Sequence, residues 1–147
     1  MSESTFHALY VMAFLTMLVI RAVSRGQAIR KQGAVRRVES NANMMVRGFL
    51  AIPYFAAVFA YMIKPSLFDW ADFWLPEWLR WTGVVIVYVG LAGLAWVQWA
   101  LGRNFDTTLH VRDEHTLITH GPYRWVRHPM YTVLFLLDIG VFLLITN

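Results

Sequence analysis

Hydrophobic residues are gathered into four long stretches that are separated by polar and charged segments. Each stretch approaches the roughly 20 apolar residues that an α-helix needs to cross a bilayer. The shorter stretches reach that length when flanking basic side chains extend toward the interface. The pattern therefore predicts an all-α fold, a polytopic membrane helical bundle with four transmembrane helices. Their predicted bounds are about residues 5–25, 47–64, 81–101 and 128–146.

Basic residues are distributed unevenly among the three connections of this bundle. Counted between the apolar stretches themselves (6–20, 48–63, 81–101 and 129–145), seven lie between the first and second and four between the third and fourth. Only Lys64 and Arg80 lie between the second and third. Because short loops rich in Lys and Arg stay in the cytoplasm, the first and third connections are predicted to be cytoplasmic and the N-terminus outside. Tryptophans near both ends of the stretches, such as Trp74 and Trp125, are typical of interfacial aromatic belts.

The composition agrees with a membrane protein. Hydrophobic residues make up 58% of the 147 residues and charged residues 15%, whereas soluble domains are about half apolar and about a quarter charged. The absence of cysteine excludes disulfides, thiolate metal sites and cysteine nucleophiles. Topology explains the net charge of +4, and the basic 25–47 segment lacks interleaved aromatics that stack bases. We expect membrane lipids and no nucleic acid as partners, with specific binding of anionic lipid by this segment as an alternative.

The candidate chemistry is concentrated in residues 101–131, between the third and fourth stretches. This segment holds four of the five histidines with three acids and four arginines, a mixture that a passive connector does not need. Gly121 and Pro122 predict a turn, and Pro129 suits the first turn of a helix because its missing N–H costs no hydrogen bond there. The fourth helix then presents free N–H groups and its positive dipole end to an anionic ligand at the cytoplasmic interface.

Several ligand classes fit the side chains around this helix start. Arg124 and Arg127 flank it, and Tyr123, Trp125 and Tyr131 offer ring faces to a cation or a planar base. S-adenosylmethionine combines an anionic end, a flat ring and a positive centre, and many nucleotides share the first two features. The same tyrosines are also typical of an aromatic belt.

The histidines of this segment could also bind a metal ion or cap a helix. A metal site is disfavoured because His110, His115 and His120 recur every five residues and so do not share one face of a helix. His128 either caps the helix that begins at Pro129 or contacts a ligand.

The last third of the chain resembles a known family of membrane enzymes. Its sequence from 115 to 131 reads HTLITHGPYRWVRHPMY, which is similar to the signature of the isoprenylcysteine carboxyl methyltransferases and related membrane phospholipid methyltransferases. The upstream LGRNF at residues 101–105 also fits. The spacing Gly-x-Tyr-x-x-x-Arg-His-Pro-x-Tyr is long and far more specific than a lone glycine motif.

The resemblance implies methyl transfer from S-adenosylmethionine to a lipophilic substrate, most simply a carboxylate as in isoprenylcysteine. An ionised carboxylate needs no general base, so no catalytic side chain is assigned. In the family, the His-x-Leu-Val-like step, the motif tyrosine and the His-Pro-x-Tyr step hold the cofactor. The implied cofactor-binding residues are His115, Thr116, Leu117, Ile118, Tyr123, His128, Pro129, Met130 and Tyr131.

The sequence also departs from the family pattern. The family carries a further helix and a cytoplasmic C-terminal segment with an arginine and paired glutamates, which this sequence does not contain. We expect residues 1–147 to form a single integral membrane methyltransferase-like domain that lacks those parts. The alternative function is a non-catalytic membrane protein that binds a ligand or packs against partner helices. Asp138, within the fourth stretch, either lines the substrate path or makes a helix-packing hydrogen bond.

Overall fold

The computed structural model describes residues 3–30, 36–37, 41–71, 73–101, 110–111 and 121–145. These residues contain four α-helices, two 3₁₀ helices and two short strands. The α-helices are α1 (Glu3–Arg30), α2 (Asn41–Ile63), α3 (Glu77–Leu101) and α4 (Pro129–Leu144). The first 3₁₀ helix is Pro65–Ala71, the second is Gly121–Arg124, and the strands are β1 (Arg36–Arg37) and β2 (His110–Val111).

Two of the helices are long and apolar enough to cross a membrane. They are Glu3–Gln27 within α1 and Glu77–Leu101, the whole of α3. Gly48–Ile63 of α2 and the first 3₁₀ helix pass the same test as a pair, but the chain bends by 110° between them. With α4 a shorter apolar helix, the described residues hold two candidate spans, or three if the bent pair is one. The helical membrane architecture is confirmed, and the number four stays a prediction.

The helix bounds differ from those predicted because helices continue past the apolar stretches. α1 extends to Arg30 rather than 25, and α2 begins at Asn41 rather than 47. α3 begins at Glu77 rather than 81, with the acid in its first turn, where the helix dipole favours negative charge. Pro53 lies inside α2 without ending it. The chain turns instead at Lys64, which precedes Pro65 and is therefore disfavoured in the helical conformation.

α3 and α4 are antiparallel and meet closely at glycines. A Cβ at Gly83 would lie 2.8 Å from the Gly140 carbonyl oxygen, and one at Gly90 would lie 2.8 Å from the Leu137 side chain. A Cβ at Gly140 would in turn lie 2.8 Å from Val87. Small residues allow helix backbones to approach in this way in membrane bundles. These glycines therefore fix the separation and register of the two helices.

β1 and β2 form an antiparallel pair, with Arg36 opposite Val111 and Arg37 opposite His110. Apart from this two-residue pair, the regular structure of the described residues is helical, so the predicted all-α class is confirmed. The pair joins the α1–α2 connection to the α3–α4 connection, so both basic connections lie at the same end of the bundle. We call this end the loop end.

The opposite end, which we call the anchor end, is built around Arg80. This side chain is 7% exposed and donates two hydrogen bonds to the Glu3 carboxylate, at 2.7 and 2.9 Å. Its Nη2 also donates to the Leu144 carbonyl oxygen at 3.4 Å, and its Cζ lies 3.9 Å from the centroid of the Phe6 ring. Arg80 therefore ties α1 and the end of α4 to α3.

Candidate functional site

α4 begins at Pro129, as the sequence predicts, with His128 in the capping position. The backbone carbonyl of His128 accepts hydrogen bonds from the amide N–H and the hydroxyl of Thr132, each at 3.3 Å. The His128 side chain makes no capping hydrogen bond to the helix. Because the first turn of a helix leaves its N–H groups without helical partners, those of Met130 and Tyr131 have none within α4. The capping alternative for His128 is therefore wrong, and its imidazole remains accessible at the helix start.

The rings of His128 and Tyr131 lie side by side at this helix start. Their centroids are 6.0 Å apart and their planes meet at 64°, an edge-to-face contact. Both side chains are exposed, Tyr131 with 72% of its surface accessible. The structure thus brings two of the predicted cofactor-binding side chains into contact beside the first turn of α4.

The turn that carries the tyrosine of the motif is docked on the end of α3. Gly121 has φ +60°, in the left-handed region that favours glycine, and a Cβ there would lie 3.2 Å from the Ala100 Cβ. The Pro122 carbonyl then accepts hydrogen bonds from the N–H groups of Trp125, at 3.2 Å, and Val126, at 3.1 Å. Pro122 itself is buried. Close packing therefore holds the second 3₁₀ helix in place ahead of α4.

Tyr123 is half-buried within this turn. Burial raises the pKa of its phenol above the ordinary value of 10. The hydroxyl therefore keeps its proton at physiological pH and can both donate and accept a hydrogen bond.

The remaining predicted residues divide into two groups. Pro129 is buried and Met130 packs against the hydrophobic core, so their side chains build the helix start. A ligand at this point would meet the backbone N–H of Met130. Residues 115–118, the four-residue His-Thr-Leu-Ile step, lie outside the described residues. The pocket that includes them stays a prediction.

Two polar side chains in the apolar helices have contrasting positions. Asp138 is exposed on α4 and has no hydrogen-bond partner among the described residues, so the predicted packing bond is not seen there. Gln98 of α3 is 1% exposed, and neither its oxygen nor its nitrogen has a partner within the same residues. The sequence analysis missed Gln98. The available signal was a lone amide three residues before the end of the third apolar stretch.

A concave region lies at the anchor end, away from the motif. It is an open cleft of about 1040 Å³ between the start of α1, the first 3₁₀ helix and the start of α3. Its lining includes Glu3, His7, Asp69 and Arg80. His7 Nε2 lies 3.2 Å from the Tyr61 carbonyl oxygen there. The cleft contains none of the predicted site residues.

Known proteins are similar to this chain over both its last two α-helices and the motif between them. Residues 82–147 match the model of the isoprenylcysteine carboxyl methyltransferase (ICMT) family. The mouse protein-S-isoprenylcysteine O-methyltransferase is 33% identical over 94 residues, which cover 56% of this chain and 33% of the mouse protein. A probable protein-S-isoprenylcysteine O-methyltransferase of Oryza sativa subsp. indica is 29% identical over 94 residues, covering 62% of this chain and 48% of that protein.

A bacterial relative matches more of the chain. The uncharacterized protein YpbQ of Bacillus subtilis is 27% identical over 115 residues, which cover 75% of this chain and 60% of that protein. The chain thus matches between about a third and three fifths of the length of these relatives. The matched family region contains the motif turn, α4 and most of α3.

Proposed function

We propose that this chain carries out S-adenosylmethionine-dependent methyl transfer to a lipophilic substrate, because residues 82–147 match the model of the isoprenylcysteine carboxyl methyltransferase family. The favoured acceptor is a carboxylate, as in isoprenylcysteine. The observation that carries the proposal is the start of α4, where the His128 imidazole makes no cap hydrogen bond and contacts the Tyr131 ring. The N–H groups of the first helical turn, which have no partners within the helix, lie beside these rings.

The chain is an integral membrane protein, and we propose the finer topology that the charges predict. The N-terminus lies outside, four helical segments cross the bilayer, and the loop end faces the cytoplasm. The β1–β2 pair supports this arrangement because it brings the two basic connections to one end. α4, at 16 residues, is about 24 Å long, so it needs flanking residues to match a hydrocarbon core of about 30 Å.

The residues at the loop end fit the chemistry of the cofactor. The first turn of α4 offers N–H groups and a positive dipole end to the carboxylate of the bound molecule. The exposed rings of His128 and Tyr131 offer faces to its sulfonium or its base. Tyr123, whose phenol is protonated at physiological pH, offers one hydroxyl. By resemblance, His115, Thr116, Leu117 and Ile118 would complete this site together with Pro129 and Met130.

The contribution of the protein to such a reaction is positioning and the exclusion of water. S-adenosylmethionine, when bound, supplies an electrophilic methyl group on a positively charged sulfur. Holding the acceptor beside it in a fixed orientation is worth up to ~7–11 kcal/mol for well-aligned reactants. An ionised carboxylate acceptor needs no general base. A lipophilic acceptor reaches the loop end laterally from the bilayer.

Isothermal titration of the purified chain in detergent with S-adenosylhomocysteine tests the proposal. We expect micromolar binding that His128→Ala and Tyr123→Phe weaken by at least tenfold. His7→Ala and Tyr54→Phe are matched controls, because both residues lie outside the motif and His7 lies at the anchor end. Binding that is equally weakened by the control variants would contradict the site. A wild-type chain that does not bind at all favours the non-catalytic alternative.

A further inference from the structure

Gln98 is a buried amide with no partner in the described residues. Its side chain is 1% exposed, and both Oε1 and Nε2 lack hydrogen bonds. Buried polar groups are nearly always hydrogen-bonded in native proteins, because losing water without gaining a partner costs free energy. A leucine or methionine at this position would avoid that cost, so the amide calls for a role outside helix packing.

The register of α3 and α4 places this amide level with the candidate site. A Cβ at Gly90 would meet Leu137, and one at Gly93 would meet Val133. Residues closer to the C-terminal end of α3 therefore face residues closer to the N-terminal end of α4. Continuing this register brings Gln98 to the level of Pro129. Val87, which lies against Gly140, precedes Gln98 by eleven residues, or about three helical turns. The two side chains therefore share the face of α3 that packs on α4.

We propose that Gln98 is a binding residue of the methyl-donor site and that its amide hydrogen-bonds a polar edge of the bound molecule. This inference rests on the proposed function. The Gln amide has an NH₂ donor beside an oxygen acceptor. A ligand edge with an acceptor beside a donor can therefore form hydrogen bonds with both groups. The apolar chain of a lipophilic substrate offers neither group.

Two parts of the methyl donor have this donor–acceptor chemistry. The adenine ring carries its 6-amino donor beside a ring-nitrogen acceptor, the pairing that Gln amides make with adenine in nucleic acids. The methionine part carries an ammonium donor beside a carboxylate acceptor. Either edge would satisfy both atoms of the Gln98 side chain, and the experiment below distinguishes them.

The substitution Gln98→Met tests the proposal because it keeps the side-chain length and removes both polar atoms. We expect the unliganded variant to unfold in detergent at the same temperature as the wild type or higher, since no hydrogen bond is lost. We expect its dissociation constant for S-adenosylhomocysteine to rise by at least tenfold. Thr82→Val is the matched control, because the Thr82 hydroxyl donates to the Trp78 carbonyl oxygen at the other end of α3. It should leave the dissociation constant unchanged.

Two analogues identify the edge that Gln98 contacts. S-inosylhomocysteine replaces the 6-amino group with an oxygen, so an adenine contact predicts that the wild type rejects this analogue and that Gln98→Met no longer discriminates. 5′-Methylthioadenosine lacks the amino-carboxylate, so a contact there predicts equal binding of this analogue by the wild type and the variant. Both results support the proposal.

Three results would overturn the proposal. The first is a Gln98→Met variant that binds S-adenosylhomocysteine within twofold of the wild type. The second is a variant that unfolds at a lower temperature with unchanged affinity, which shows a packing role. In both cases the wild type still binds, so the proposed function survives. The third is a wild-type chain that fails to bind, which refutes the proposed function and this inference together.

Discussion

The ion pair between Glu3 and Arg80 at the anchor end predicts that loss of the exposed partner, Glu3, destabilises the fold more than loss of the buried partner, Arg80. Arg80 has a side chain that is 8% exposed, whereas the Glu3 side chain is 74% exposed. Removing the carboxylate leaves a largely buried guanidinium without its ion partner. Removing the guanidinium returns Glu3 to water, which hydrates it readily. We therefore expect Glu3→Gln to destabilise the fold more than Arg80→Met.

The magnitude follows from the contacts. Glu3 accepts a bidentate pair of hydrogen bonds at 2.7 and 2.9 Å, and bonds to charged groups contribute about 1.5–3 kcal/mol. Its exposure favours the lower part of that range. Arg80→Met loses the contact with Phe6, about 0.5–1 kcal/mol, but replaces a buried ion by an apolar chain, which is often neutral. Glu3→Gln added to Arg80→Met should then have no further effect.

Thermal unfolding in detergent of the wild type, Glu3→Gln, Arg80→Met and the double variant measures this order of stability. A loss of 1.5–3 kcal/mol corresponds to roughly 3–12 °C for a chain of this size. Asp69→Asn is the matched control, since Asp69 is an exposed acid that lines the same cleft. An Arg80→Met variant that unfolds at a lower temperature than Glu3→Gln would refute the reasoning. So would a Glu3→Gln variant that unfolds at the same temperature as the wild type.

Three further substitutions test the helix contact, the motif turn and the lipid face. Gly90→Ala, whose new methyl would lie 2.8 Å from the Leu137 side chain, should cost about 1–3 kcal/mol in thermal unfolding, whereas Gly93→Ala, with its nearest neighbour at 3.3 Å, should cost less. Gly121→Ala, at φ +60°, should cost about 1–2 kcal/mol and weaken S-adenosylhomocysteine binding measured by titration. Asp138→Leu, which removes an exposed acid from an apolar helix, should favour membrane insertion by about 3–4 kcal/mol in a glycosylation-based insertion assay. Equal stability of the two glycine variants, unchanged binding by Gly121→Ala, or unchanged insertion would contradict the respective argument.

The sequence predicted the features that depend on local chemistry. Pro129 marks the start of α4 because a proline fits the first helical turn whatever surrounds it. Gly121 and Pro122 marked the turn for a similar local reason, and the structure adds the positive φ of Gly121. The family resemblance depended on the same short segment and is confirmed by the match of residues 82–147.

The features that depend on distant residues could not be predicted from the pattern. Arg80 counted only as one of two basic residues in a connection, because its partner Glu3 is 77 residues away. The β1–β2 pair joins two loops that the sequence separates by more than 70 residues. Gln98 resembled an ordinary polar residue near a helix end until the register of α3 on α4 showed where it lies.

The two ends of the bundle differ in how far their buried polar groups are hydrogen-bonded. At the anchor end, the Arg80 guanidinium has a carboxylate, a carbonyl and an aromatic ring as partners, and only its Nε is unbonded among the described atoms. At the loop end, both atoms of the Gln98 amide are unbonded among the described atoms. Unsatisfied polar groups reduce stability, so their concentration is expected where a bound molecule supplies the missing partners. This asymmetry favours the loop end over the anchor-end cleft as the site of the proposed methyl transfer.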